Sequence, residues 1–251
     1  MRTAIPATTA DDSLHGPVPA TAPARPASGA HHPSTPPSEP EPRLSRRGSR
    51  PERYVALTFD DGPTPATLPT LLDRLRAAGA RATFFNQGDH AEAEPGLVRA
   101  QQEAGMWIGN HTCTHPHLTE VGGAALGEIL GAQRTLHRIT GEWPALFRPP
   151  YGETNDQVRA DEARLNLLEV LWTVDSRDWA GATTDDIVAA ARSLQPGGIF
   201  LMHDWAQASI DAIPQIISDL RDRGLHPGKI AFTSREVPFG DTPFHAIAVA
   251  P

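Results

Sequence analysis

Apolar residues recur along the chain in two alternating periods. Tyr54 to Phe59 is a short run of β-branched and aromatic residues, the pattern of a buried strand, and it stops on Asp60, Asp61 and a Gly62-Pro63 turn. Leu68, Leu71, Leu72 and Leu75 then fall on one face of a helix that Gly79 ends, and Ala82–Asn86 reads as a strand again. The same alternation predicts helices at Pro95–Ala104, Ala125–Thr140, Asn155–Arg164, Thr184–Leu194 and Ile213–Arg223. Strands are predicted at Met106–Gly109, Ala145–Phe147, Leu168–Val174, Gly198–Met202 and Ile230–Thr233. About seven β-α repeats define an α/β protein with a parallel sheet, and the short strands and extra loops predict a distorted (β/α)7 barrel.

Composition divides the chain. Residues 1–52 are rich in Pro, Ala, Ser, Thr and His and nearly free of large apolar side chains, so they cannot build a core and read as a disordered arm. His31 and His32 there read as solvated, and Arg43 to Arg50 as a basic linker or processing site. Arg2 is followed by no apolar stretch of about 7 to 15 residues, so no secretory signal pattern is visible. The folded domain is expected over 53–233, with a tail at 234–251. A net charge of −8 without a dense basic block in the folded part excludes nucleic acid and anionic membrane surfaces as partners, and favours a neutral substrate. The single cysteine, Cys113, excludes an intrachain disulfide and a cysteine-rich metal site.

In parallel barrels chemistry sits on the loops after the strands, and every strand end here carries candidates. Asp60 and Asp61 point to opposite faces if the strand continues through them, so one can bind a metal while the other faces a substrate; Asp-Gly-Pro is also ordinary turn chemistry. His111 and His115, spaced i, i+4, would share one face of a helical turn and suit a pair of zinc ligands. Thr112 stands where a zinc-protease motif needs Glu, which excludes that class, and His117 reads as a structural or surface residue. Arg148-Pro149-Pro150-Tyr151-Gly152 is a stiff loop that can present an N–H to an oxyanion and a guanidinium to a carboxylate, or be a plain Pro-rich turn. Asp175-Ser-Arg-Asp-Trp179 and Leu201-Met-His203-Asp-Trp205 follow the next two strands, with His203 readable as a core histidine or as a general acid.

Taken in order, Thr58 to Gly62, His111 to His115, Arg148 to Gly152, Asp175 to Trp179 and Leu201 to His203 resemble the five motifs of the polysaccharide deacetylase family, the NodB-homology domain of carbohydrate esterase family 4. The resemblance runs from Arg53 to Ile230. Phe85 to Gly88, Arg148 to Asn155 and His203 to Trp205 are further similar to bacterial acetylxylan esterases. It implies a NodB-type distorted barrel and a monomer that removes acetyl groups from a polysaccharide or oligosaccharide, with O-acetyl groups of xylan first and N-acetyl groups of chitin oligomers or peptidoglycan as the alternative. By the same resemblance Asp61, His111 and His115 would bind a divalent metal, usually zinc, with cobalt as a substitute. Asp60 would be the general base, the Tyr151 N–H would hold the oxyanion, and His203 would protonate the leaving group. Arg148 would orient Asp60, Asp175 would pair with His203, and Trp179 and Leu201 would line the acetyl pocket beside Pro149 and Trp205. Members of the family are generally secreted. A non-catalytic carbohydrate-binding relative would be expected to lack Asp60 or His203, and this chain has both.

Overall fold

The computed structural model describes residues 53–231 and 247–249. The arm at 1–52, with His31, His32 and Arg43 to Arg50, lies outside them, as does all of the tail except 247–249. The chain runs β1 (Tyr54–Asp60), α1 (Leu68–Ala77), β2 (Thr83–Asn86), α2 (Gly88–Ala93), α3 (Pro95–Glu103), β3 (Trp107–Asn110) and α4 (Ala125–Thr140). It continues through β4 (Leu146–Phe147), α5 (Asp156–Arg164), β5 (Leu168–Glu169), β6 (Val174–Asp175), α6 (Thr184–Ala191), β7 (Ile199–His203) and α7 (Gln207–Asp222). Three short strands follow, β8 (His226–Pro227), β9 (Lys229–Ala231) and β10 (Ile247–Val249).

Local chemistry sets several boundaries. Asn155 caps α5 by accepting from the Val158 N–H, Thr183 and Asp186 form a capping box on α6, and Gly141 ends α4 in the left-handed region at φ 76°. Two boundaries differ from expectation. Pro214 reads in sequence as the first turn of a helix, yet α7 begins at Gln207 and carries the proline in its interior. The six residues of α2 are too few to show a helical period.

The sheet order is β5-β4-β3-β2-β1-β7-β6, and all of these pairings are parallel. β8 pairs with the start of β1, and β9 pairs antiparallel with β10. The stretch expected as one strand, Leu168–Val174, is two: β5 pairs with β4, whereas β6 pairs with β7 at the other end of the order. Residues 170–173 therefore carry the chain from one end of the sheet to the other. The five steps from Glu169 to Val174 reach at most about 18 Å, so the end strands must face each other across a curled barrel.

Alternation along β1 separates the two sides. Val55, Leu57 and Phe59 pack outward with the four leucines of α1, with Phe84, Phe200 and Met202, and with Ile213, Ile216 and Leu220 of α7. Each of those buried leucines contributes about 2 kcal/mol relative to exposure. Ala56 faces inward with Phe85, Leu146, Val170 and Ile199. The register sets Ala56 beside Ile199, Thr58 beside Leu201 and Asp60 beside His203, so the inward rows of β1 and β7 end side by side on an acid and an imidazole. A cavity of about 280 Å³ that includes Trp107, Trp143 and Ile230 opens at the opposite strand ends and shares no residue with that site. Among the described residues no helix is long and apolar enough to cross a membrane.

Candidate active site

Asp60 and Arg148 are both removed from water, at 3 % and 0 % exposure. Arg148 Nη1 donates to Asp60 Oδ1 at 2.6 Å and to Thr58 Oγ1 at 2.8 Å, while its Nε and Nη2 donate to the carbonyls of Val170 and Leu171 at 2.9 and 3.2 Å. The guanidinium also lies 4.2 Å over the Phe85 ring. Burial lowers the Arg148 pKa from its ordinary value, and the charge of Asp60 opposes the shift. With four of its five N–H donors bonded, the fork holds one oxygen of Asp60 and leaves the other, Oδ2, 3.7 Å from His111 Nε2.

Asp61, His111 and His115 converge, with one ligand atom from each lying within 4.8 Å of the others. The His111 Nδ1–H donates to the Arg148 carbonyl at 2.7 Å, since a carbonyl only accepts, and this leaves Nε2 as the ring nitrogen turned toward Asp61. Asp61 Oδ1 lies 3.5 Å from His111 Nε2 and 3.3 Å from His115 Nε2. Two ligands about 2.0–2.1 Å from a tetrahedral ion are about 3.4 Å apart, so the donor set fits a divalent cation in both chemistry and spacing. Burial lowers the His115 pKa from its ordinary value, and the charge of His111 lowers it further. Burial raises that of Asp61, but hydrogen bonds and charge from His111, with Trp205 and His203, hold it far below the carboxylate range.

The two histidines do not share a helical turn. Thr112 and His115 have left-handed φ angles of 66° and 58°, so the stretch is a strained loop and not a helix. Its shape is held from outside: Asn110 Oδ1 accepts from the Thr112 N–H, Thr112 Oγ1 accepts from the His115 N–H, and the Glu128 carboxylate of α4 accepts from the Cys113 and Thr114 N–H groups.

His203 is paired with Asp178, not with Asp175. The His203 Nδ1–H donates to Asp178 Oδ1 at 2.7 Å, the His203 backbone N–H donates to Oδ2 at 2.8 Å, and Ser209 Oγ donates to Oδ2 as well. Asp175 ends β6 and accepts from the Arg177 N–H at 2.7 Å and from Trp179 Nε1 at 3.3 Å. The reason is the left-handed turn at Arg177, φ 57°, which folds the chain back and brings the second aspartate of Asp-Ser-Arg-Asp under the imidazole. Burial lowers the His203 pKa, but the hydrogen bond and charge of Asp178, with Asp60 and Asp61 beyond, outweigh it and hold the ring above its ordinary value.

The rim is aromatic. Tyr151, Trp179 and Trp205 are 54, 55 and 42 % exposed, whereas Leu201 and Pro149 are buried. Tyr151 sits at φ 60°, its ring stacked 4.0 Å from His117, whose Nδ1 is 2.9 Å from Glu153. No acceptor among the described residues takes the Tyr151 N–H. Trp205 Nε1 donates to Asp61 Oδ2 at 3.0 Å. Gln87, Glu128 and Ser209, which support the site from α2's edge, α4 and α7, were not among the expected site residues; Gln87 lies in the Phe85 to Gly88 stretch, and no local motif marks the other two.

A curled α/β barrel thus gathers an Asp-His-His set, a buried Asp-Arg pair and an Asp-paired histidine at one end of its strands. The family model for polysaccharide deacetylase matches residues 47–170. A family 4 carbohydrate esterase from Streptomyces lividans superposes with a TM-score of 0.72 at 48 % identity, covering 79 % of this chain and 97 % of that one. A bifunctional xylanase/xylan deacetylase of Cellvibrio japonicus is 39 % identical over 186 residues, 73 % of this chain and 28 % of the relative. A peptidoglycan-N-acetylglucosamine deacetylase of Bacillus cereus is 37 % identical over 176 residues, 68 % of this chain and 64 % of the relative. The chain thus spans less than two thirds of the length of either curated relative. It belongs to the polysaccharide deacetylase family, carbohydrate esterase family 4.

Proposed function

We propose that the protein is a metal-dependent deacetylase that hydrolyses acetyl groups on a polysaccharide or oligosaccharide, with O-acetyl groups of xylan as the favoured substrate. The observation that carries this reading is the placement of two differently supported groups, Asp60 on Arg148 and His203 on Asp178, at neighbouring strand ends beside Asp61, His111 and His115. A divalent cation held by those three residues, zinc in our reading with cobalt as a substitute, would supply Lewis acidity toward the acyl oxygen and toward water.

The chain's own residues would do the rest. Asp60 would accept the proton of the attacking water at Oδ2, the oxygen that Arg148 does not occupy. The Tyr151 N–H, turned out of the backbone ladder, would receive the oxyanion. His203, charged and oriented by Asp178, would give its Nε2 proton to the leaving sugar oxygen or nitrogen. Trp179 and Leu201 would cover the acetyl methyl, Pro149 would keep the loop rigid, and Tyr151 and Trp205 would offer ring faces to the sugar.

The xylan assignment draws on the Cellvibrio relative, and the ester in it on the Streptomyces carbohydrate esterase. An N-deacetylase of chitin oligomers or peptidoglycan is the second reading. It draws on the Bacillus relative and on the His203–Asp178 pair, since a poor amine leaving group needs a proton more than an alcohol does. Acetate release from acetylated xylan, chitin oligomers and peptidoglycan, each with and without chelator, tests both. We expect chelation to abolish turnover and added zinc or cobalt to restore it. Full activity in metal-free protein would refute the metal's role, and chitin oligomers turned over much faster than acetylxylan would reverse the substrate order.

A further inference from the structure

Trp205 follows β7 by two residues in a turn whose backbone is fixed on both sides. Asp204, fully buried, accepts from the Thr64 N–H at 2.9 Å and from Thr64 Oγ1 at 2.6 Å, and the Ala206 N–H donates to the His203 carbonyl at 3.3 Å just before α7 begins. The indole is thereby projected over the strand ends. Its ring centroid stands 5.3 Å from that of His203, tilted by 40°, and its Nε1–H reaches Asp61 Oδ2 at 3.0 Å. The two oxygens of Asp61 are thus divided: Oδ1 faces His111 and His115 and has Gln87 Nε2 at 3.2 Å, and Oδ2 accepts from the indole. An indole has one N–H and no acceptor, so the donor used on Asp61 is not available to a sugar hydroxyl. Asp61 itself sits at φ 70°, a conformation that persists only when its surroundings hold it.

We propose that Trp205 is a positioning residue: its indole N–H fixes the Asp61 carboxylate so that a single oxygen is presented, with His111 and His115, to the divalent cation. The inference rests on the reading of those three side chains as metal ligands, and it gives Trp205 a role separate from any stacking on the sugar. Outer partners of ligating carboxylates set ligand orientation, and losing one typically weakens metal affinity by about 10- to 100-fold.

The test separates the N–H from the ring. Metal-free wild type, Trp205→Phe and Trp205→Ala are titrated with zinc in competition with a chromogenic chelator. Trp205→Phe keeps an aromatic face and loses only the donor. A rise of about 10-fold or more in its zinc dissociation constant, with melting of the metal-free protein unchanged, is the expected result. Equal constants for wild type and Trp205→Phe would overturn the inference. So would a rise confined to Trp205→Ala, because it would assign the effect to the ring. A wild type that takes up no zinc would overturn the metal reading of the site, and this inference with it.

Discussion

Replacing Asp178 by Asn isolates the contribution of the charge under His203. The Asp178 side chain has no exposure and takes four donors, the His203 N–H, the His203 Nδ1–H, the Trp179 N–H and Ser209 Oγ. Asparagine keeps the shape but has one acceptor oxygen in place of two, so its amide N–H must oppose at least one of those donors. A hydrogen bond to a charged group contributes about 1.5–3 kcal/mol, and losing that much transition-state stabilisation lowers kcat/KM by about 10- to 150-fold. This is a fraction of the about 10²- to 10⁴-fold that a general acid supplies in total. Asp175→Asn removes only a rim contact to Trp179 Nε1 and the Arg177 N–H, and should cost less than about 10-fold. Steady-state acetate release on a chitin oligomer compares the two directly, with KM reported beside kcat. If Asp175→Asn lost as much activity as Asp178→Asn, the assignment of Asp178 as the partner of His203 would be wrong.

Two further expectations concern protons. His203→Ala should depress N-deacetylation at least about tenfold more than ester hydrolysis, a barrier difference of about 1.4 kcal/mol, and equal losses on the two substrates would refute a proton-donor role that depends on the leaving group. On α5, burial pushes the pKa of Glu162 up to about 9 from 4.5, and the charge and hydrogen bond of Glu169 add to the shift. The folded chain keeps a proton that the unfolded chain loses above pH 4.5, so this group's contribution to stability is complete below that pH and is lost as pH rises toward about 9. Glu162→Gln removes the titration. Its melting temperature relative to wild type should therefore rise between about pH 5 and about pH 8.5, and a pH-independent difference would refute the account.

The sequence was most legible where structure is local. The leucine spacing of α1, the capped start of α5 and the strand ending on Asp60 each follow from periods and caps contained in about ten residues. Leu168–Val174 was not legible as two strands, because Leu-Glu-Val-Leu-Trp-Thr-Val holds no Gly, Pro or other turn residue and its division depends on which distant strands pair with each half. The spacing of His111 and His115 identified the metal candidates but not their backbone, since four residues can bring two imidazoles together through a strained loop as well as through a helix. The motif resemblance paired Asp175 with His203 and passed over Asp178 three residues on, because only the turn at Arg177 decides which of the two aspartates reaches the imidazole. Glu128 and Ser209 act from elements that only the tertiary fold brings near, so no spacing could announce them.

Arg148 joins two functions that most enzymes keep apart. Its guanidinium bonds Asp60 on one side and, on the other, the carbonyls of Val170 and Leu171, in the short crossing where the chain passes between the two end strands of the sheet. The residue that orients the acid is also a rivet in the seam of the barrel. A molecule whose seam has not closed lacks the bonds that set Arg148 against Asp60. The same linkage narrows the routes open to engineering: weakening the seam to loosen the barrel also disturbs the acid, and redesigning the acid's partner reopens the seam. Substrate range can be altered more freely at the exposed aromatic rim, where Trp179 carries no such second duty.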